Sequence, residues 1–227
     1  MGIKVYGLCL STSTAVVLAA LHEKEVEYEL VKVDLFAGAN RKPEYLALQP
    51  FGQIPALVDE SFTVFESRAI ARYIANKFEG QGAPLYGTTP IDHALVEQWL
   101  EVESQNFSRA AAAAMRELSG FDHPTDEKVL MGHFEKLGKV LDVYEARLSK
   151  SKYLAGEFFS LADLAHLPSL NHPFSFTKHG EITMEGRPHV KAWWADISSR
   201  PAWKKLSAVI EQEFVQFQPR VQGQGKQ

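Results

Sequence analysis

Only one cysteine, Cys9, occurs in this chain of 227 residues, so no disulfide can form within it and a reducing compartment suits it. Positive charge is not in surplus either. The 24 Lys and Arg residues face 28 Asp and Glu, which leaves no basic patch to grip nucleic acid and no charged run for a membrane surface. Long hydrophobic runs are missing too. The uncharged stretch from Val5 to His22 imitates a secretion signal, but Ser11, Thr12, Ser13 and Thr14 split it into two short pieces. Neither a membrane span nor secretion is expected, and the cytoplasm is the expected location. Tyr6 stands where a myristoylation signal needs Ser or Thr, and the acceptor triplet Asn106-Phe107-Ser108 could be glycosylated only in a secreted chain. No His-Glu-x-x-His, no Cys and His cluster, no Gly-x-Ser-x-Gly and no phosphate-loop glycines occur, so metal, hydrolase and nucleotide chemistry lack support.

What is present is a chain able to fold well. With 45% apolar and 11% aromatic residues, this length can bury a sizeable core as one large domain or two modest ones. The first eighty residues alternate strand and helix signals: an apolar run from Ile3 to Gly7, a helical segment from Thr14 to Glu23, then alternation from Glu27 to Leu35. Short strands at Ala56 to Asp59 and Thr63 to Phe65 precede a helix from Ser67 to Phe78. The order βαβ then ββα suits a small mixed sheet. Glu79-Gly80-Gln81-Gly82-Ala83-Pro84 has no periodicity and many breakers, marking a linker over 81–90 between a first domain, 1–80, and a second, 91–217.

The second domain reads as all helix. Leu95, Trp99, Val102, Phe107 and the alanine run Ala110 to Ala114 form one long, bent pattern, and another runs from about Asp126 to Leu148. Ser160-Leu161-Ala162-Asp163 has capping-box spacing, with Phe159 and Leu164 placed to staple it, which gives Asp163 a structural role. Arg200-Pro201 opens a last amphipathic helix carrying Trp203, Leu206, Ile210 and Phe214. The tail, 218–227, is polar and glycine-rich and is expected to stay unordered.

Two blocks carry chemistry. Within Pro50-Phe51-Gly52-Gln53-Ile54-Pro55-Ala56-Leu57, Pro55 removes a backbone donor and holds Ile54 extended, so a peptide main chain can pair beside Ile54. Phe65-Glu66-Ser67-Arg68-Ala69-Ile70 opens a helix whose first turn favours a carboxylate. Together they form a site for a small anionic peptide.

These blocks resemble the glutathione site of glutathione transferases, most closely the plant phi class. The same family pattern continues in Val102-Glu103, Val143-Tyr144-Glu145-Ala146-Arg147-Leu148, Lys152-Tyr153-Leu154-Ala155-Gly156, Ser160-Leu161-Ala162-Asp163-Leu164 and Pro188-His189-Val190-Lys191-Ala192-Trp193-Trp194, so nearly the whole chain is covered. The resemblance implies a thioredoxin-like α/β N-terminal domain followed by an all-α helical bundle. It implies glutathione as co-substrate, with Ser11 aligned to the catalytic serine that steadies the thiolate. Gln53 and the main chain of Ile54, fixed by Pro55, would hold the cysteinyl unit; Glu66 and Ser67 the γ-glutamyl end; Asn40, Arg41 and Lys42 the glycyl carboxylate. A hydrophobic electrophile would be the second substrate, met by residues such as Leu35, Phe36, Met115, Leu118, Phe121, Phe174 and Phe176. Phe51, next to the cofactor loop, matches the position where related classes insert an aromatic side chain into the partner subunit, so the resemblance implies a homodimer.

Two positions depart from the family pattern: Val16 where Arg is common, and Asn40 where His is usual. Hydroxyl residues before a helix ordinarily cap it, and Ser13 or Thr14 is expected to do so here, leaving Ser11 for chemistry. The implied activity is conjugation of glutathione to apolar electrophiles, with organic hydroperoxide reduction by the same thiolate, in detoxification or stress response. Two other readings stand beside it: a non-catalytic carrier of hydrophobic ligands, and a thiol reductase built on Cys9.

Overall fold

The computed structural model describes residues 2–119, 124–174 and 183–224. Contacts divide the chain into two compact units, residues 1–83 with 200–227, and residues 84–199.

The first unit is built on a four-stranded sheet. Strands β1 (Ile3–Gly7), β2 (Tyr28–Lys32), β3 (Ala56–Asp59) and β4 (Phe62–Phe65) lie in the order β2-β1-β3-β4. Strand β2 runs parallel to β1, while β3 and β4 are antiparallel to their neighbours. Residues of β1 are alternately buried and half-buried, the period of a strand with one face on a core. Helix α1 (Thr12–Glu23) crosses over from β1 to β2, and helix α3 (Ser67–Lys77) follows β4; the two pack together. Every residue of α1 from Thr14 to Leu21 is buried, so this helix lies inside the unit rather than on its surface. Asp59 at the end of β3 accepts hydrogen bonds from Lys77 and from Tyr73 Oη (2.6 Å) on α3, and the Lys77 ammonium holds its carboxyl below the usual range.

The last helix joins this unit rather than the all-α region to which the sequence pattern assigns it. We number it α10 (Pro201–Gln224), and it packs on α1. The physical reason is an apolar stripe, Trp203, Leu206 and Ile210, all buried, and a bidentate ion pair in which Arg200 Nε and Nη2 reach the buried Glu23 at 2.7 and 2.6 Å. The helix continues to Gln224, into the segment expected as an unordered tail, since an established helix adds one hydrogen bond per residue.

In the second unit, α4 (Pro90–Val102) starts on a capping box between Thr89 and Asp92, with Pro90 at its first position. One π-helical turn, Glu103–Phe107, joins it to α5 (Ser108–Ser119), the bend expected in the long pattern. Helix α6 (Glu127–Leu148) is capped by Asp126, and α7 (Leu161–Leu164), α8 (Leu167–Phe174) and α9 (Pro188–Ser198) follow among the described residues.

Asp163 is fully buried and accepts four hydrogen bonds: from Ser160 N (3.0 Å), Ser160 Oγ (3.0 Å), Leu154 N (3.0 Å) and Trp193 Nε1 (2.9 Å). The capping box is reciprocal, and Phe159 and Leu164 on either side of it are both buried. Removing this carboxylate leaves four buried donors unmet, each a desolvation cost. Asp163→Ala is therefore expected to destabilise the fold by about 3–5 kcal/mol in urea unfolding, whereas Phe159→Leu should cost about 1.5 kcal/mol or less.

Candidate functional site

Sheet register gathers the candidate residues. Tyr6 pairs with Ala56, and Ala56 pairs with Phe65. The chain therefore leaves β1 toward Ser11, enters β3 from Gln53-Ile54-Pro55 and leaves β4 toward Glu66-Ser67, all at one end of the sheet. Gly7 pairs with Lys32, so the loop after β2, which leads to Asn40, Arg41 and Lys42, starts at that end too. Both helices α1 and α3 begin there. Each presents the positive end of its dipole and first-turn N–H groups that have no acceptor within the helix.

Ser11 is the N-cap of α1. Its Oγ accepts from Thr14 N at 3.4 Å, a long bond, and its side chain stays half exposed. This corrects the expectation that Ser13 or Thr14 caps the helix: the helix starts at Thr12, one residue after Ser11, and Thr14 is buried with an unpaired hydroxyl among the described residues. Gly7 explains how close the strand end and this helix come, because a Cβ there would sit 2.6 Å from Thr14 Oγ1. Val16 is buried in α1, so the position where the family pattern leads one to expect Arg serves packing here.

Beside β3, the main chain at Gln53 is held on both sides. Its N–H donates to Gln49 Oε1 (3.1 Å), and its carbonyl accepts from Tyr45 Oη (2.6 Å). The side chain of Gln53 is exposed and free to meet a ligand. Ile54 comes next, joined to the buried Pro55 by a cis peptide bond, and its main chain has no hydrogen-bond partner among the described residues. A peptide lying alongside would find both groups open.

Glu66, the N-cap of α3, is exposed and adopts φ 69° and ψ 112°, a region that non-glycine residues enter at a cost of about 1–3 kcal/mol. Ser67, next to it, is buried at the first position of α3. The pair sets an acid and a helix N-terminus side by side, able to receive an ammonium and a carboxylate from one amino-acid head group.

On the third side, Asn40 and Arg41 form a short 3-10 turn, Ala39–Arg41, leading to α2 (Pro43–Leu46). Asn40 Nδ2 donates to Gly52 O at 2.7 Å and Arg41 Nη1 to Phe51 O at 3.3 Å. Asn40 is thus engaged with the protein's own loop. Arg41 and Lys42 remain exposed, and Lys42 has no capping bond. Gly52 holds φ 64°, and a Cβ on it would lie 2.9 Å from Asn40 O, so the loop needs glycine there.

Of the apolar candidates, Leu35 and Phe36 are exposed on the loop after β2, where Asp34 Oδ1 accepts from the N–H groups of Phe36 and Ala37 (3.0 Å each). Met115 and Leu118 are half buried on α5. Phe121, Phe176 and the side chain of Phe174 lie outside the described residues. Phe51 is 64% exposed and touches Phe65 edge-on, a large apolar side chain left in solvent. Asp163 belongs to the other unit and is committed to its capping box. The residues that the sequence pattern does not reveal are Tyr45 and Gln49: each sits in an ordinary amphipathic stretch, and only the fold brings them against Gln53.

The chain's relatives have the same design. A model of the glutathione S-transferase N-terminal domain matches residues 1–76, and one of the C-terminal domain matches residues 107–201. Glutathione S-transferase F10 of Arabidopsis thaliana is 48% identical over 213 residues, 92% of this chain and 97% of that one. The crystal structure of glutathione transferase F7 from Populus trichocarpa is 48% identical and has a TM-score of 0.86, covering 92% of this chain and 99% of that chain. The maize glutathione S-transferase I solved in complex with an atrazine glutathione conjugate is 38% identical, with a TM-score of 0.85 over 93% of this chain and 99% of that chain. With its sheet register, its two helix N-termini and relatives spanning almost its full length, the chain belongs to the glutathione S-transferase family and is most like the plant phi class.

Proposed function

We propose that this glutathione transferase binds glutathione across the end of its sheet and turns the thiol into a thiolate beside Ser11. The observation that carries the reading is the Tyr6–Ala56–Phe65 register, which sets Ser11, Ile54 and Glu66-Ser67 at one end of adjacent strands. Ile54 pairs the cysteinyl main chain, with the Gln53 side chain beside it. Glu66 meets the ammonium and Ser67 with the start of α3 the carboxylate of the γ-glutamyl end. Arg41 and Lys42 attract the glycyl carboxylate, while Asn40 steadies the loop that Arg41 faces.

A free thiol near pKa ~8.5 is mostly protonated at neutral pH. Lowering it by about two units needs roughly 2.7 kcal/mol, since each unit is worth ~1.36 kcal/mol. A hydrogen bond to the anion supplies about 1.5–3 kcal/mol and the helix N-terminus about 0.3–1 kcal/mol, a combined range that brackets this requirement. Accepting the Thr14 N–H orients the Ser11 oxygen toward the helix and leaves its proton for the sulfur. The thiolate then attacks an electrophilic carbon of an apolar compound: a C–S bond forms and the leaving group departs with its electron pair. With a hydroperoxide, two glutathiones give a disulfide, an alcohol and water. Exposed Leu35 and Phe36 provide apolar surface for such partners.

Activity on foreign or stress-derived electrophiles in the cytoplasm, by a homodimer joined through Phe51, completes the proposal. No described helix is long and apolar enough to cross a membrane. Cys9 does not fit a thiol reductase. It is 5% exposed, and burial pushes its thiol up, away from the thiolate that such chemistry requires.

Ser11→Ala is expected to lower turnover of a chlorinated nitrobenzene about 10²–10³-fold, as for loss of one donor to a developing anion, with glutathione affinity within a few-fold in calorimetry. Unchanged turnover removes Ser11 from the chemistry, and tight binding of apolar ligands by an inactive wild type makes the protein a carrier. Cys9→Ser should retain near wild-type activity. Iodoacetamide should label Cys9 slowly at pH 7 and faster only at pH above the ordinary thiol value; rapid labelling at neutral pH would restore the reductase reading.

A further inference from the structure

We infer that Tyr45 is a positioning residue for glutathione, acting through the peptide between Gln53 and Ile54. This inference rests on the reading of the Ile54 main chain as the glutathione contact. Four side chains from one stretch of chain meet the main chain of 51–53. Asn40 donates to Gly52 O, Arg41 to Phe51 O and Tyr45 to Gln53 O, while Gln49 accepts from Gln53 N. The Tyr45 bond is the shortest of these at 2.6 Å, and it falls on the one carbonyl that belongs to the same peptide plane as the Ile54 N–H. Fixing that carbonyl fixes the direction of the N–H that a bound peptide must pair with. The Gln53 side chain and the Gln53 main chain are thereby divided: one is free for ligand, the other is wholly committed to the protein.

The phenol suits this task. Tyr45 is 6% exposed, and burial raises its pKa to about 12, so it remains a donor throughout the range in which the enzyme is assayed. Its own helix, α2, is a single turn, yet the backbone is anchored by Tyr45 N to Lys42 O at 3.0 Å and by Gln49 N to Tyr45 O at 2.9 Å. The ring thus stands on a fixed base, and the hydroxyl reaches the loop without needing any other partner.

The test is Tyr45→Phe, which keeps the ring and removes only the hydroxyl. A folded variant, judged by circular dichroism and thermal melting, is expected to show a glutathione KM and Kd raised about 5–30-fold, the factor that one or two kcal/mol of lost orientation produces. The KM for a chlorinated nitrobenzene and kcat should stay within about threefold. That split separates positioning from bulk stability, which would lower folded protein without moving one KM alone. An unchanged glutathione KM and Kd overturns the inference, and so does an equal rise in both KM values. Where Tyr45→Phe is not folded in plain buffer, the same binding measurement is made at lower temperature in sucrose, which favours the compact state, with the same expected rise and the same overturning result. Wild-type protein that gives no heat with glutathione overturns the underlying reading. Wild type and variant that bind equally well overturn only the role of Tyr45.

Discussion

Backbone pairing between three strands is the constraint on which everything else depends. Because Tyr6 opposes Ala56 and Ala56 opposes Phe65, segments far apart in sequence end at the same place: residues 8–11, 53–55 and 66–67. A slip of one residue would turn every side chain of a strand to the other face, so the buried face of the sheet enforces this register. Helices α1 and α3 then start from that end and pack together, which puts two positive dipole ends near one another. The site is a product of sheet topology first and of individual side chains second.

Within this frame the polar groups divide their work. Some are turned inward to hold the scaffold. Asp59 ties β3 to α3, Glu23 ties α1 to α10, and Gln49 with Tyr45 ties the Gln53 loop to α2. Others are left unspent: the Ile54 main chain, the Ser67 hydroxyl and the exposed side chains of Glu66 and Lys42. A ligand that carries an ammonium, two carboxylates and amide groups matches these open valences. Ser11 can serve in both sets, since its oxygen accepts from Thr14 N while its own proton, on a half-exposed residue, is left over for a ligand. Capping and catalysis are therefore not competing explanations for that residue.

Local signals told much of this in advance. The alternation of β1, the breaker-rich segment at Gly80 and Gly82, the capping box at Ser160 and Asp163 and the start of α3 at Ser67 are each set by nearby residues, and each appears as expected. The bend in the long α4–α5 pattern resolves as a π turn at Glu103–Phe107. What local signals did not tell is tertiary in origin. The cap of α1 shifted to Ser11 because the helix begins where the chain turns off β1, not where the apolar pattern begins. The last helix joined the sheet unit because Arg200 finds Glu23, a partner 177 residues away. Tyr45 and Gln49 gave no signal, since their partners are backbone atoms of a loop and such contacts leave no pattern in side-chain spacing. The bond from the Asn40 amide to Gly52 O gave no signal for the same reason.

The proposed chemistry is electrostatic: a neutral hydroxyl and a helix N-terminus at the sheet end favour a sulfur anion. Ultraviolet thiolate absorbance of glutathione titrated with pH on the wild-type protein tests it most directly. The bound thiol is expected to ionise about two units below the free value of ~8.5, with the absorbance already developed at neutral pH. Ionisation at the free value, with glutathione bound, would contradict it.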